Sequence, residues 1–343
     1  ACQAGAGVSG DRPRQMTGRK GPPRAAIFGC EGLRLSDAEK RFFADTNPLG
    51  FILFARNIES PDQLRALVRD LRATVGDDAA PVLIDQEGGR VQRLRPPHWP
   101  DRPPASRFAV AYLDNPDQAS ADLAANARAI ALDLADLGIT VDCWPVLDLP
   151  QAGADPIIGD RALGATTEAI AALGEVIIDS LHAGGVTPVF KHIPGHGRAT
   201  VDSHKALPVV ETDFAVLRNT DFAPFRMLNT APWAMTAHVV YTAVDADNCA
   251  TFSAKVVDRV IRGDIGFDGL LISDDLSMHA LSGGFGDRTR RALAAGCDVV
   301  LHCNGVMAEM APVAEAAHIM GDTALVRAAR AETLRRRGPE TTA

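Results

Sequence analysis

The densest chemistry in the chain lies between Lys191 and His204. The run Lys191-His192-Ile193-Pro194-Gly195-His196-Gly197 is followed closely by Asp202-Ser203-His204. Three histidines, a lysine and an aspartate fall within these fourteen residues. Histidine changes charge near neutral pH and so moves protons readily, and a neighbouring aspartate can orient it or charge it. Pro194 forbids a regular helix through the middle, and two glycines flank His196, so the segment reads as a loop presenting polar side chains. It follows the apolar run Gly185–Phe190, which reads as a buried strand. Loops of this kind at strand ends are where active sites are commonly built.

The residues alone leave several readings of this loop open. His192 and His196 have the i, i+4 spacing of zinc-binding helices, and Asp202 and His204 could add ligands. However, the proline and glycines prevent that helix and no Glu follows His192, so a metal would need a loop geometry. Asp202-Ser203-His204 has the letters of a hydrolytic triad, but adjacent residues rarely converge that way and no GxSxG turn is present. A proton-moving His204 oriented by Asp202 is the more economical role. The bland alternative is a structural loop whose histidines bond to backbone carbonyls, above all His196 among its glycines.

Two further clusters carry carboxylates. Ser273-Asp274-Asp275 ends the apolar run Gly269–Ile272. One such residue would serve as a helix cap, whereas three in a row suggest a catalytic aspartate. The segment Ile84 to Arg93 (IDQEGGRVQR) gathers Asp85, Glu87, Arg90 and Arg93 around a glycine pair, and Gly159-Asp160-Arg161 repeats the Asp/Arg pairing. Carboxylates beside arginines suit a polyhydroxylated ligand, because the acids accept from hydroxyls and the arginines donate. Ion pairing among these side chains is the alternative.

The elements that must position these groups alternate. Candidate strands are Ala25–Phe28, Gly50–Phe54, Pro81–Ile84, Ile139–Asp142, Gly185–Phe190, Trp233–Ala237, Gly269–Ile272 and Asp298–His302. Helical patterns lie between them at Ser60–Val75, Pro116–Leu137, Thr166–Ala183, Asp213–Asn229, Ser253–Arg262, Arg288–Ala295, Met307–Met320 and Ala324–Arg337. Eight strands alternating with eight helices predict an α/β fold, a TIM-like (β/α)8 barrel in one domain, with a doubly wound open sheet as the alternative. The polar residues follow this pattern. Asp85, Asp142 with Asp148, Lys191 with His192, His238, Ser273-Asp274-Asp275 and His302 all stand at candidate strand ends, where a barrel assembles its site.

Composition narrows the function classes. A net charge of -8 over 343 residues gives no basic footprint, so nucleic acid is not an expected partner. No apolar run reaches the roughly 20 residues that cross a bilayer. Six cysteines are scattered without CxxC spacing and read as buried thiols of a reducing compartment. Residues 1–20 are polar, lack an apolar signal core, and read as a disordered extension. Residues 21–337 form the expected domain and 338–343 a frayed tail. A cytoplasmic monomer is the expectation.

Several of these segments resemble glycoside hydrolase family 3, specifically its single-domain bacterial β-N-acetylglucosaminidases of peptidoglycan recycling. They are KHIPGHGRATVDSH (Lys191 to His204), DQEGGRVQR (Asp85 to Arg93), Gly159-Asp160-Arg161 and SDDLSM (Ser273 to Met278). Phe51 to Asn57 and Met235 to His238 are also similar, and the likeness runs in order from about Ala25 to Gly305. The resemblance implies a TIM-like barrel, a retaining mechanism, a muropeptide substrate and no metal or cofactor. It assigns Asp274 as nucleophile, His204 as general acid/base and Asp202 as its partner. It assigns Asp85, Arg93, Arg161, Lys191 and His192 to the N-acetylglucosamine hydroxyls. Ile193 stands where relatives often have Phe, and the second α/β domain of many family 3 β-glucosidases is not expected. Related enzymes of other sugar preference, phosphorolysis, and non-catalytic glycan binding remain the alternatives.

Overall fold

The computed structural model describes Arg19 and residues 21–337. The other residues expected to form a disordered extension, and the tail 338–343, lie outside the described residues. Arg19 itself is anchored: its guanidinium bonds to Asp77, Asn47 and the carbonyls of Pro48 and Leu49.

Eleven strands occur among the described residues: β1 (Arg24–Gly29), β2 (Pro48–Leu53), β3 (Val82–Ile84), β4 (Val141–Asp142), β5 (Thr187–Ile193), β6 (Val209–Val210), β7 (Trp233–Thr236), β8 (Val240–Tyr241), β9 (Asp245–Cys249), β10 (Leu270–Asp275) and β11 (Val299–His302). Eight of them close a parallel barrel in the order β1-β2-β3-β4-β5-β7-β10-β11, while β6, β8 and β9 form a small separate sheet. The eight barrel strands are those read from the sequence. The small sheet was not foreseen, since its runs are short and β9 is polar.

The helices are α1 (Asp37–Thr46), α2 (Pro61–Val75), α3 (Ala105–Asp114), α4 (Pro116–Asp136), α5 (Thr167–Ala183), α6 (Phe214–Asn219), α7 (Ala223–Met227), α8 (Phe285–Ala295), α9 (Met307–Ala316) and α10 (Asp322–Arg337). The helix predicted over Asp213–Asn229 is two helices, α6 and α7. Pro224 lacks the N–H that a continuous helix would need and begins the second one instead. The Ser253–Arg262 helix is mostly a π-helical turn at Val256–Asp264. The pattern Met307–Met320 stops at Ala316 as α9, with Pro312 inside it. Helices α1 and α3 were missed. A capping box, Ser36 with Glu39, marks the start of α1 in the sequence.

Strand periodicity builds two cores. Along β5 and β10, Val189, Leu270 and Ile272 point into the barrel with Ile27, Ile52, Leu83, Val141 and Met235. Their neighbours Phe190, Leu271, Phe28, Phe51 and Ile84 point outward against the helices. Helix α10 closes the N-terminal end of the barrel. Met320, Ala324 and Ala331 join the inner core, and Arg335 and Arg327 bond to Gly185 and Asp298 at the starts of strands.

Candidate active site

The same alternation decides which polar side chains enter the barrel mouth. Two residues beyond the inward Leu83 and Val189 stand Asp85 and Lys191. Each therefore shares the inner face. Lys191 and His192 were expected in a loop after the strand. They are instead strand residues, because β5 continues to pair with β7 through Lys191 opposite Met235 and Ile193 opposite Thr236. Two other strand-end groups face away from the mouth by parity. His302 stacks on Phe285 of α8 with ring centres 5.1 Å apart. Asp142 is fully buried and accepts from the backbone N–H of Gln86 at 3.0 Å. Burial raises its carboxyl well above the usual range.

A lattice of alternating charges lines one side of the mouth. Lys191 Nζ sits 2.8 Å from Asp85 Oδ1 and 2.8 Å from Glu87 Oε1. Arg93 Nη2 reaches the other oxygen of Asp85 at 3.1 Å. Arg161 binds Glu87 through two parallel bonds of 2.8 Å, the fork geometry that guanidinium and carboxylate share. The lattice is assembled by the glycine turn. Gly88 and Gly89 adopt positive φ, and a Cβ on Gly88 would lie 2.3 Å from the Pro103 carbonyl. Only glycine permits that packing. The turn folds Arg93 back beside Asp85, with Gln86 Oε1 accepting from the backbone of Arg93 and Leu94. Arg90 pairs with Asp160 at 2.7 Å, which draws the Gly159–Arg161 turn onto the same surface.

Electrostatics keep this lattice ionised despite its burial. Burial alone would raise the Asp85 carboxyl, but the charges of Lys191 and Arg93 outweigh it and hold it far below the usual carboxylate range. Glu87 is likewise penalised by burial yet held down to about 2 by Arg161 and Lys191. Burial would lower the Lys191 ammonium, and its two carboxylates raise it instead.

His192 belongs to a different partner. Its Nδ1 lies 2.7 Å from Asp148 Oδ2, and Asp148 Oδ1 accepts from the backbone N–H of His196 at 2.6 Å. His196 Nε2 lies 3.1 Å from the Ser203 hydroxyl. These two histidines thus bond to a carboxylate and a hydroxyl, which sets aside the alternative in which they bond to backbone carbonyls. Burial, and next the charge of His192, lower the His196 ring to about 4, so it is neutral at physiological pH. Among the described residues no three His, Cys, Asp or Glu converge as a metal cage.

Asp274 owes its position to a bulge. Between Ile272 and Asp275 the register of β10 against β11 shifts, and Ser273 Oγ takes over as acceptor for the Leu301 N–H. Such bulges re-aim a side chain at a barrel rim. Asp274 is half-buried, and its Oδ1 accepts from the N–H of Asp275 at 2.8 Å.

The loop after β5 completes the mouth. His204 Nδ1 lies 2.8 Å from Asp202 Oδ1, which also accepts from the His204 N–H at 2.9 Å. Burial slightly opposes ionisation of Asp202, and these bonds from His204 hold its carboxyl below the usual range. The His204 side chain is 63% exposed, and no hydrogen bond or ion pair joins it to Asp274 among the described residues. The base of the loop is firmly held. Arg198 pairs with Asp221 at 2.7 Å, and a Cβ on Gly197 would lie 1.8 Å from the Leu149 carbonyl.

Asp85, Arg93, Arg161 and Lys191 therefore come together as one lattice, His192 is tied instead to Asp148, and the Asp202–His204 pair rests on the segment after β10 through Ser203 and His204. Glu87 and Asp148 were the omissions from the expected site. Glu87 stood in the DQEGGR motif as one member of an ion cluster, and Asp148 followed a strand end, but neither signal distinguished a bridge from a surface charge.

Comparison with known proteins identifies the family. Residues 20–332 match the glycosyl hydrolase family 3 N-terminal domain. The β-hexosaminidase of Alkalilimnicola ehrlichii is 40% identical over 284 residues, covering 81% of this chain and 80% of that protein. The β-hexosaminidase of Methylobacillus flagellatus is 42% identical over 260 residues, covering 74% and 73%. Among solved structures, NagZ from Neisseria gonorrhoeae in complex with N-trifluoroacetyl-D-glucosamine superimposes with a TM-score of 0.81 at 31% identity, covering 92% of this chain and 90% of that one. A parallel barrel with paired acids and bases at its C-terminal mouth, and these matches, define the class: the chain belongs to glycosyl hydrolase family 3. Within it, the protein is a glycoside hydrolase of the β-N-acetylhexosaminidase type.

Proposed function

We propose that the protein is a retaining, exo-acting β-N-acetylglucosaminidase that releases terminal N-acetylglucosamine from muropeptides, such as N-acetylglucosaminyl-1,6-anhydro-N-acetylmuramyl peptides. Asp274 attacks the anomeric carbon and forms a glycosyl-aspartate ester while the glycosidic C–O bond breaks. His204, oriented by Asp202, delivers its proton to the departing oxygen. It then takes a proton from water as that water opens the ester. The Asp85–Lys191–Glu87–Arg161 lattice with Arg93 and His192 holds the sugar hydroxyls.

The observation that carries this reading is the placement of a half-buried Asp274 at the β10 bulge, sharing the mouth with a lattice of buried ions. A mouth lined by paired donors and acceptors suits a polyol ligand. The 2.8 Å Asp202–His204 contact supports the proton-transfer role. The exposed tip of the loop, at Val201 and residues 204–207, lets His204 approach after substrate binds. Retaining glycosidases more often pair two carboxylates. A histidine in the second place repels an incoming anion less than a carboxylate would, so phosphate replacing water is the second reading. The five described cysteines are all buried free thiols, in keeping with a reducing compartment such as the cytoplasm, where the protein would act as a monomer in peptidoglycan recycling.

The test compares a chromogenic β-N-acetylglucosaminide with the corresponding β-glucoside. Equal turnover would remove the acetamido preference, and no turnover of either would favour a binding protein. Asp274→Ala is expected to abolish trapping of a covalent glycosyl adduct and to lower the rate by about 10⁴-fold or more. An adduct still formed at that strand end would refute the assignment. Sugar 1-phosphate appearing when phosphate is added would identify phosphorolysis.

A further inference from the structure

His238 is fully buried just beyond β7, and the chemistry above gives it no role. Both of its ring nitrogens are engaged. Nε2 lies 3.0 Å from the main-chain carbonyl oxygen of Asp275, and Nδ1 lies 2.7 Å from Thr251 Oγ1. A carbonyl only accepts, so Nε2 carries a proton. Burial lowers the ring's basicity against the opposing pull of Asp274, which leaves it neutral with a bare Nδ1. That nitrogen needs a donor, and Thr251 supplies it. The Thr251 hydroxyl has one proton and two acceptors in reach, His238 Nδ1 at 2.7 Å and the Ala237 carbonyl at 3.2 Å. The shorter contact wins, because the alternative strands a buried ring nitrogen without a partner. Thr236 Oγ1, 2.8 Å from Thr251 Oγ1, then donates to Thr251. Protons therefore point one way, from Thr236 to Thr251 to His238 to the Asp275 carbonyl.

This relay ends on the Asp275–Leu276 peptide, and the preceding peptide unit, across the Asp275 Cα, carries the N–H that meets the nucleophile. The Asp275 N–H donates to Asp274 Oδ1 at 2.8 Å. The Asp275 carboxylate in turn accepts from the backbone N–H of Ser277 at 3.0 Å and of Cys303 at 3.1 Å, and from the Ser277 hydroxyl. The side chain thus ties Asp275 to the segment after β11, and His238 ties its carbonyl to β7. Held from both sides, the Asp275 backbone presents its N–H in one direction and fixes Asp274 Oδ1. Asp274 Oδ2 has no hydrogen bond among the described residues and is the oxygen free to attack.

We infer that His238 is a positioning residue for Asp274: its Nε2–H, bonded to the Asp275 carbonyl, holds the Asp275 backbone whose N–H aligns the attacking carboxylate. The inference rests on the proposal that Asp274 is the nucleophile.

Two measurements test it. Nitrogen-15 NMR of the histidine-labelled enzyme at neutral pH is expected to find the His238 proton on Nε2; a neutral ring protonated on Nδ1 overturns the inference. Separately, the rate of the first chemical step is read from the burst with a dinitrophenyl β-N-acetylglucosaminide. His238→Leu removes the donor, and Thr251→Val removes the hydroxyl that fixes the tautomer while nearly keeping the shape. Each is expected to slow the burst about tenfold, the worth of one net hydrogen bond, with little change in KM. His238→Gln, whose amide can donate in place of Nε2, is expected to recover most of that loss. Equal rates for His238→Leu and His238→Gln overturn the inference. If His238→Leu does not fold, a wild-type burst in Thr251→Val overturns it equally. Peptide mapping separates the two levels: an adduct on another residue refutes the nucleophile, whereas an Asp274 adduct with unaltered rates in the variants refutes only the role of His238.

Discussion

The barrel mouth has two sides of opposite physical character. On one, Lys191, Glu87 and Arg161 lie at side-chain exposures of 3%, 3% and 10%, each charge bonded to an opposite charge. On the other, His204 is 63% exposed and is held chiefly by Asp202, two residues away. The first side is rigid for electrostatic reasons: no member can leave without stranding a buried charge. The second lacks any such penalty. The docking of the loop tip rests on few contacts, among them the Ala280 N–H to the Ser203 carbonyl at 3.2 Å and His279 Nδ1 to the His204 carbonyl at 3.0 Å. The side proposed to hold the sugar is built before substrate arrives, and the side proposed to move the proton has few contacts to hold it.

The contrast is broken most severely at its rigid side. Lys191→Ala leaves Asp85 and Glu87 facing each other without their shared cation, and is expected to cost about 3–5 kcal/mol of stability as well as substrate binding. A urea midpoint equal to wild type would show that the lattice is dispensable. His204→Ala should do the reverse. Its exposed side chain contributes little to folding, so stability is expected to stay within about 0.5 kcal/mol, while kcat falls by about 10²–10⁴-fold. A variant that lost stability but kept its rate would invert the division between the two sides.

Acid should separate the two sides in order. His196, at the base of the loop, has its ring lowered from 6.5 to about 4 by burial. Between those values the unfolded chain binds a proton that the folded chain refuses, so stability is lost as pH falls from 6.5 towards 4. Glu87 is lowered from 4.5 to about 2, so its contribution is intact above 4.5 and is lost only as pH falls towards 2. Urea midpoints from pH 7 to 3 are expected to show the earlier loss flattened in His196→Gln, with the later one unchanged. An identical profile in the variant would remove His196 from the account. The smallest effect lies far from both sides. Ser36→Ala removes the α1 cap and is expected to cost about 1 kcal/mol with unchanged kcat.

Much of this was legible in the sequence, for particular reasons. Apolar runs two residues apart in phase marked the strands, and Asp85 and Lys191 are local continuations of that phase. The family motifs placed Arg93, Arg161, Asp202 and His204 beside them. The bulge in β10 was not legible, because a register shift is a relation between two strands and leaves no pattern in either one. The same holds for Lys191 as a strand residue, since a following proline and glycines read as a loop while the pairing with β7 persists to Ile193. Asp148 and Glu87 are single acids in polar segments, and their importance lies in partners 44 and 74 residues distant.

The sequence by itself determined the barrel, its strand order in outline and the residue types at its mouth, because hydrophobic period and turn chemistry are local properties of the chain. Only the tertiary structure decided which charge meets which. It paired Arg161 with Glu87 and Arg90 with Asp160, turned His302 and Asp142 away from the mouth, and gave His238 the Asp275 carbonyl. Those choices depend on closure of the barrel, which brings strand ends distant in sequence to within hydrogen-bond distance and removes the water that would otherwise make their partners interchangeable.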